Sequence, residues 1–130
     1  MTRAVADTSV FVAQESGREL GELGELPEEI AISVITAAEL ELGVLRAADT
    51  ATRATRLATL SRVRATYSLL AVDAEVASCF ARLAAGELGR GRSLRRHDTW
   101  IAATALRHGA AVVTQDEDFS SFDEVNVLRV

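Results

Sequence analysis

Short apolar segments alternate with longer stretches of helical periodicity along this chain, and that alternation constrains the fold more than any other feature. The segments with the length of strands are residues 3–6, 31–33, 69–72, 110–114 and 125–130. The stretches with helical periodicity are residues 9–16, 33–48, 50–67, 74–88 and 98–108. Strands that alternate with helices predict an α/β domain with a mostly parallel central sheet of four to five strands.

The chain has 130 residues, of which 48% are hydrophobic, and this is enough apolar material for one core. We therefore expect a single domain over residues 1–130. In RELGELGELPEE, Gly21, Gly24 and Pro27 interrupt any helical pattern. Because glycine costs about 1 kcal/mol per helix position, a surface segment is predicted over residues 17–27.

The sequence also predicts the cellular compartment of the protein. No apolar stretch approaches the roughly 20 residues that span a bilayer. Asp7 interrupts the apolar N-terminus and no small-residue cleavage site follows, so we expect no signal peptide. Cys79 is the single cysteine, which excludes a disulfide framework and a zinc cluster and predicts a buried structural thiol. A cytoplasmic protein is expected.

All 14 cationic side chains are arginine, and the chain contains no lysine. This excludes every mechanism that needs a lysine, such as P-loop phosphate binding, Schiff-base chemistry, receiver domains and haloacid-dehalogenase-type phosphatases. The net charge of −5 argues against bulk attraction to nucleic acid, although a local basic patch would still provide it.

Four carboxylates occupy the positions where α/β sheets form their sites, just after strands or early in the helices that follow. They are Asp7, Glu39, Asp98 and Asp116. Four converging carboxylates repel one another, and one or two divalent cations relieve that repulsion. Ligand sets made only of oxygen atoms favour Mg²⁺ or Mn²⁺ over zinc. Hard cations on carboxylates are a recurrent solution for hydrolysing a phosphodiester.

Each acid also has a simpler explanation. Asp7 could only cap a helix, although Thr8 and Ser9 could do the same. Asp98 could only interact with a helix dipole, and Asp116 could belong to a solvated acidic loop.

Glu39 has an internal control in Glu41, since two residues turn a helix by about 200° and place the two carboxylates on different faces. Glu39 shares its predicted face with Ile35, Leu42 and Gly43, and the glycine would allow close approach.

Four segments resemble, in order and spacing, the acidic motifs of PIN-domain ribonucleases, and among these the VapC-type toxins of bacterial toxin–antitoxin pairs. The segments are VADTSVFV, SVITAAELELGV, RRHDTWIAATALRHGA and VVTQDEDF. The resemblance implies a three-layer α/β/α sandwich and a Mg²⁺- or Mn²⁺-dependent endoribonuclease. It also implies a homodimer inhibited by a VapB-type antitoxin, which inserts into the acidic site.

Carried over position by position, the resemblance makes the four acids both catalytic and metal-binding. Ser9 then matches the hydroxyl that supports a metal-bound water, and Thr114 matches the hydroxyl residue ahead of the last acid. Asp118 matches a secondary acidic position. His97 falls at a variable position, so no catalytic role is inherited.

A basic connector precedes Asp98 and supplies four arginines, Arg90, Arg92, Arg95 and Arg96. They are candidates for contact with RNA or with an acidic antitoxin tail, and a solvated connector is the alternative. In the helix predicted over residues 50–67, Leu57, Leu60 and Val63 alternate with arginines. They belong either to the antitoxin groove and dimer surface or to the core.

Two rival functions remain. A catalytically silent PIN-like domain would act only through protein contacts, and the presence of all four acids argues against it. A metal-dependent nuclease acting on DNA is the second, and 130 residues leave no room for the extra helices such enzymes carry. A phosphatase or receiver domain is disfavoured, because lysine and an Asp-x-Asp after the first strand are both missing.

Overall fold

The computed structural model describes residues 3–17 and 29–130, which contain a five-stranded sheet. The strands are β1 (Arg3–Ala6), β2 (Glu29–Ser33), β3 (Ser68–Leu70), β4 (Ala111–Thr114) and β5 (Val127–Arg129). The helices are α1 (Thr8–Glu15), α2 (Val34–Leu45), α3 (Thr50–Thr66), α4 (Ala74–Gly89) and α5 (Arg96–Arg107), with a 3₁₀ turn at Glu117–Ser121. All neighbouring strands are parallel, so the predicted fold class is confirmed.

Helices cover both faces of the sheet. Successive side chains of a strand point in opposite directions, so each strand contributes apolar side chains to both faces. Val5 and Val112 pack on one face against Ile101 of α5 and Val76 of α4. On the other face, Ala6 and Ile32 contact residues of α1, α2 and α3, among them Phe11, Leu40 and Leu60. The molecule is therefore the predicted three-layer α/β/α sandwich.

The strand order is β3-β2-β1-β4-β5, which places β1 at the centre of the sheet. From β1 the chain builds outward to β3, then crosses to the other side to form β4 and β5. The loops after β1 and β4 consequently leave in different directions, and this is the switch point where parallel sheets form their sites. Ala6 pairs with Val113, so Asp7 and Thr114 emerge side by side.

Several predicted boundaries shift. β3 ends at Leu70 rather than at residue 72. α5 begins at Arg96, so Asp98 lies inside its first turn instead of opening the helix. The predicted surface segment at residues 17–27 lies outside the described residues except for Gly17, which has a φ of 73° and follows the end of α1. Among the described helices, none combines the length and apolar character needed to cross a membrane.

The three apolar residues that alternate with arginines in α3 divide between core and surface. Leu60 and Val63 are 4% and 0% exposed and belong to the core, whereas Leu57 is 50% exposed. Core packing, one of the two predicted alternatives, is therefore confirmed for Leu60 and Val63.

Candidate active site

Asp7 is a buried carboxylate at the carboxyl end of β1, with 5% of its surface exposed. It is the N-cap of α1, and its side chain accepts a hydrogen bond of 3.4 Å from the backbone N–H of Ser9. Neither Thr8 nor Ser9 occupies the cap position. Asp7 thus caps a helix and also faces the edge of the sheet where the other acids lie.

A chain of hydroxyl groups connects Asp7 to the end of β4. The backbone N–H of Gln115 donates to Ser9 Oγ at 3.0 Å, and Ser9 Oγ lies 3.2 Å from Thr114 Oγ1. Thr114 donates onward to Asp7 Oδ2 at 3.0 Å, so its single proton is used and Ser9 must be the donor between the two hydroxyls. Ser9 and Thr114 therefore lie at the predicted site and orient its first acid.

Glu39 extends from the second turn of α2 toward the same edge. Its Oε1 accepts a hydrogen bond of 2.8 Å from Thr8 Oγ1, and its Oε2 lies 3.4 Å from Nδ1 of His97. Glu41 instead pairs with Arg64 at 3.1 Å, so the predicted division between the two glutamates is confirmed. Thr8 was missed because no single motif links it to Glu39, 31 positions away.

The surroundings predicted for Glu39 were partly wrong. Leu42 is 52% exposed and does not belong to a buried face. A Cβ at Gly43 would meet only the Cδ of Arg56, at an ordinary 3.9 Å, so the glycine is not required for close approach. The buried face of α2 is formed by Thr36, Ala37, Leu40 and Val44.

Asp98 is the acid whose electrostatic environment is most altered. Its carboxylate is half-buried and lies 3.1 Å from Arg95 Nη1. The pKa of Asp98 is raised to about 6, mainly by burial and then by the neighbouring charge of Asp7. Asp116 and Glu39 add to the rise, and the Arg95 guanidinium opposes it. The other three acids therefore lie close enough to Asp98 for their charges to affect its pKa.

Asp116 begins the 3₁₀ turn after β4. Its carboxylate accepts a hydrogen bond of 2.8 Å from the backbone N–H of Asp118, and its own backbone N–H donates to Thr114 Oγ1 at 2.9 Å. The side chain of Asp118 is 64% exposed and lies 3.6 Å from Arg95. Asp118 thus lies at the margin of the group.

The chemistry of these side chains fits a hard divalent cation. The site offers carboxylate and hydroxyl oxygens, and the repulsion felt at Asp98 is of the kind that a cation relieves. As the side chains stand, no three acidic, histidine or cysteine groups in the described part of the chain form a set able to hold one ion.

The profile of the PIN domain matches residues 4–125. The chain belongs to the PIN-domain family. This PIN domain is 47% identical to ribonuclease VapC5 of Mycobacterium tuberculosis over 129 residues, covering 97% of the chain and 94% of the relative. It is 36% identical to ribonuclease VapC4 of the same species over 133 residues, covering 98% and 97%.

A solved structure is similar over its whole length. It is a member of the VapBC family of toxin–antitoxin systems, VapBC-5 from Mycobacterium tuberculosis, with a TM-score of 0.88, 44% identity and 100% coverage of both chains. FitAcB from Neisseria gonorrhoeae aligns with a TM-score of 0.76 at 27% identity, covering 96% of each chain. The resemblance to VapC-type PIN domains is confirmed.

The four arginines of this PIN domain predicted to contact RNA or antitoxin differ in their surroundings. Arg90 pairs with Asp123, and Arg92 donates to the carbonyl of Ser121 at 3.1 Å. Arg95 is held between Asp98 and the 3₁₀ turn. Arg96 is exposed, and its side chain makes no ion pair or hydrogen bond with the rest of the described chain. Arg96 is therefore the member of this set best placed to meet a phosphate.

Two open grooves lead away from the acids. One, of about 510 Å³, is lined by Ser9, Val12 and residues 115–118. The other, of about 360 Å³, is lined by Thr8, Glu39 and Arg56, among others. Both have the size of small-ligand sites. Arg56 donates to the carbonyl of Gly43 at 2.8 Å, and no sequence motif predicts it near the acids.

Proposed function

We propose that this protein is the toxin of a type II toxin–antitoxin system and acts as a Mg²⁺- or Mn²⁺-dependent endoribonuclease. One observation supports this most strongly: four acids from separate elements lie around the switch point of a parallel sheet, where burial and the charges of the other three raise the pKa of Asp98. The relatives named above as ribonucleases VapC5 and VapC4 support the choice of RNA as substrate.

In this proposal Asp7, Glu39 and Asp98 hold the main cation, and Asp116 completes the site or holds a second ion. A bound Mg²⁺ or Mn²⁺ supplies a nucleophilic water at neutral pH and neutralises charge on the scissile phosphate.

The other residues of the site have supporting roles. Thr114 and Ser9 fix the carboxylate of Asp7 through their hydroxyl chain. Thr8 fixes Glu39 in the same way, because its hydroxyl donates to Oε1. Asp118 has a secondary role at the margin.

The substrate and the inhibitor would meet the same surface. RNA lies along the open grooves. One of its phosphates contacts Arg96 on the neighbouring surface that Arg96 shares with Asp98. A VapB-type antitoxin blocks the acids by covering those grooves. In this proposal residues 1–130 form one PIN domain. A homodimer, a larger toxin–antitoxin assembly and a cytoplasmic location are the expected context.

The test is cleavage of structured RNA by the purified protein with Mg²⁺ or Mn²⁺, repeated with a chelator and with single-stranded DNA as substrate. Glu39→Gln is expected to abolish cleavage, whereas Glu41→Gln provides a matched control on the same helix and should remain active. Cleavage that resists the chelator, or equal activity of the two variants, would refute the metal-dependent nuclease. Preferential cleavage of DNA would favour the second rival, and a folded protein that binds no Mn²⁺ would favour the silent domain.

A further inference from the structure

Glu87 is a buried carboxylate that the proposed reaction does not use. It lies near the end of α4 and is 3% exposed. Its Oε1 lies 3.5 Å from Nη1 of Arg92, whose side chain is largely exposed, and accepts a hydrogen bond of 3.1 Å from Ser121 Oγ. Burying a charge is costly unless it is paired and hydrogen-bonded, so the burial of Glu87 depends on its contacts with Arg92 and Ser121.

Ser121 connects Glu87 to Arg95. The hydroxyl of Ser121 accepts a hydrogen bond of 2.9 Å from Arg95 Nη2. A hydroxyl has one proton, and here that proton points to Glu87. The hydrogen bonds therefore run in one direction, from Arg95 through Ser121 to the buried carboxylate.

Arg95 in turn joins two parts of the candidate site. Nη1 donates to Asp98 Oδ2 at 3.1 Å, and Nη2 donates to the carbonyl of Asp118 at 2.8 Å. The guanidinium also lies 5.3 Å from the ring centroid of Phe122, a distance typical of cation–π contacts. One side chain thus ties the first turn of α5, with Asp98, to the turn that follows Asp116.

The N-terminus of α5 provides few other contacts that hold Asp98, so the contact between Arg95 and Asp98 is important for its position. The N-cap residue of α5 is Arg95, whose side chain makes no capping hydrogen bond to the backbone N–H groups of the first turn. Asp7 and Asp116 are both N-caps, and their carboxylates accept hydrogen bonds from the backbone N–H groups of Ser9 and Asp118. Asp98 has no such local restraint, and its position depends on the contact with Arg95.

We propose that Glu87 and Ser121 are positioning residues that act through Arg95 to place Asp98 for catalysis. This deepens the proposed function and rests on it. Arg95 is then a part of the site's framework rather than a member of a basic rim. Glu87 provides the fixed negative end of the chain, and Ser121 transmits its position without touching any of the four acids.

The test is a double-mutant cycle with Ser121→Ala and Arg95→Gln, measured as kcat and KM for RNA and as the Kd for Mn²⁺. Residues that orient metal ligands typically contribute 10–100-fold to activity or metal affinity. We expect Ser121→Ala to lower kcat and weaken Mn²⁺ binding by about tenfold, with KM unchanged. In the Arg95→Gln background the same substitution should have no further effect.

Ser121→Thr keeps the hydroxyl and should retain the parental kcat and Kd, which distinguishes positioning from loss of folding. Circular dichroism and thermal unfolding of each variant identify any that fail to fold. Full additivity of the two substitutions, or a parental kcat and Kd in Ser121→Ala, would overturn the positioning role. A parent protein that neither cleaves RNA nor binds Mn²⁺ would instead overturn the proposed function itself.

Discussion

The hydroxyl of Thr114 donates a hydrogen bond of 3.0 Å to the carboxylate of Asp7, although 107 positions separate the two residues. Thr114 is fully buried, and Asp7 is nearly so. The contact exists because β1 and β4 are parallel neighbours whose carboxyl ends coincide. Asp7 is therefore the most buried of the four acids, and its charge is supported by donors from both strand ends.

Thr114→Val should destabilise the protein and reduce its activity. Valine has nearly the same shape but removes the donor to Asp7, and an unsatisfied buried acceptor costs about 1–3 kcal/mol. Urea unfolding measures this loss, and RNA cleavage measures the effect on the site.

Thr104→Val is the matched control. Thr104 is equally buried, but its hydroxyl donates only to the carbonyl of Trp100 within the same helix. Thr104→Val should lower the free energy of unfolding by clearly less than Thr114→Val does, and it should cleave RNA near the parental rate. Equal losses of stability in the two variants would show that the hydrogen bond to Asp7 contributes no more to stability than the bond within the helix does.

The placement of the four acids could be predicted from sequence because it depends on topology. In a parallel sheet the carboxyl ends of the strands share one edge, so acids that follow strands converge whatever the details of packing. Asp7 and Asp116 satisfy this rule directly. Glu39 could be separated from Glu41 by helix periodicity alone.

The pairing of the arginines could not be predicted in the same way. Arg95 and Asp98 are only three positions apart, but the contacts of Arg95 with the 3₁₀ turn depend on how that turn packs against α5, which involves residues more than 20 positions apart. No local pattern encodes such contacts. The buried state of Glu87 escapes prediction for the same reason, since its partner Ser121 lies 34 positions away.

Asp98→Asn should stabilise the metal-free protein at neutral pH. The pKa of Asp98 rises from 3.8 to about 6 on folding. The folded state therefore holds a proton that the unfolded chain has released between pH 4 and 6, and stability declines as the pH rises through that window. Above pH 6 the ionised carboxylate costs about 1–2 kcal/mol after allowance for its partial exposure.

Urea unfolding of parent and variant in a chelating buffer, at pH 4 and at pH 7.5, tests this expectation. The variant should be clearly more stable at pH 7.5. The difference should become small at pH 4, where Asp98 is protonated in the folded state and about half protonated in the unfolded chain. A stability difference that does not change with pH would contradict the raised pKa.

Binding of Mn²⁺ should weaken as the pH falls below about 6. Below that pH a metal ion competes with the proton on Asp98, so the Kd should rise by about tenfold per pH unit. Calorimetric titrations between pH 5 and 7.5 measure the Kd directly. In Asp98→Asn the binding should be weaker throughout, and its dependence on pH across this range should be shallower.

Arg96→Gln should weaken RNA binding more than Arg90→Gln. The two arginines are close in sequence, but Arg90 pairs with Asp123 whereas Arg96 is exposed beside Asp98. Loss of one phosphate contact reduces the slope of log K against log salt by about 1 and weakens binding to all sequences alike. We expect a several-fold higher KM for Arg96→Gln, with kcat little changed, and a KM near the parental value for Arg90→Gln. Measurement of KM at two or more salt concentrations distinguishes the variants, and an unchanged salt slope in Arg96→Gln would remove Arg96 from the RNA-binding surface.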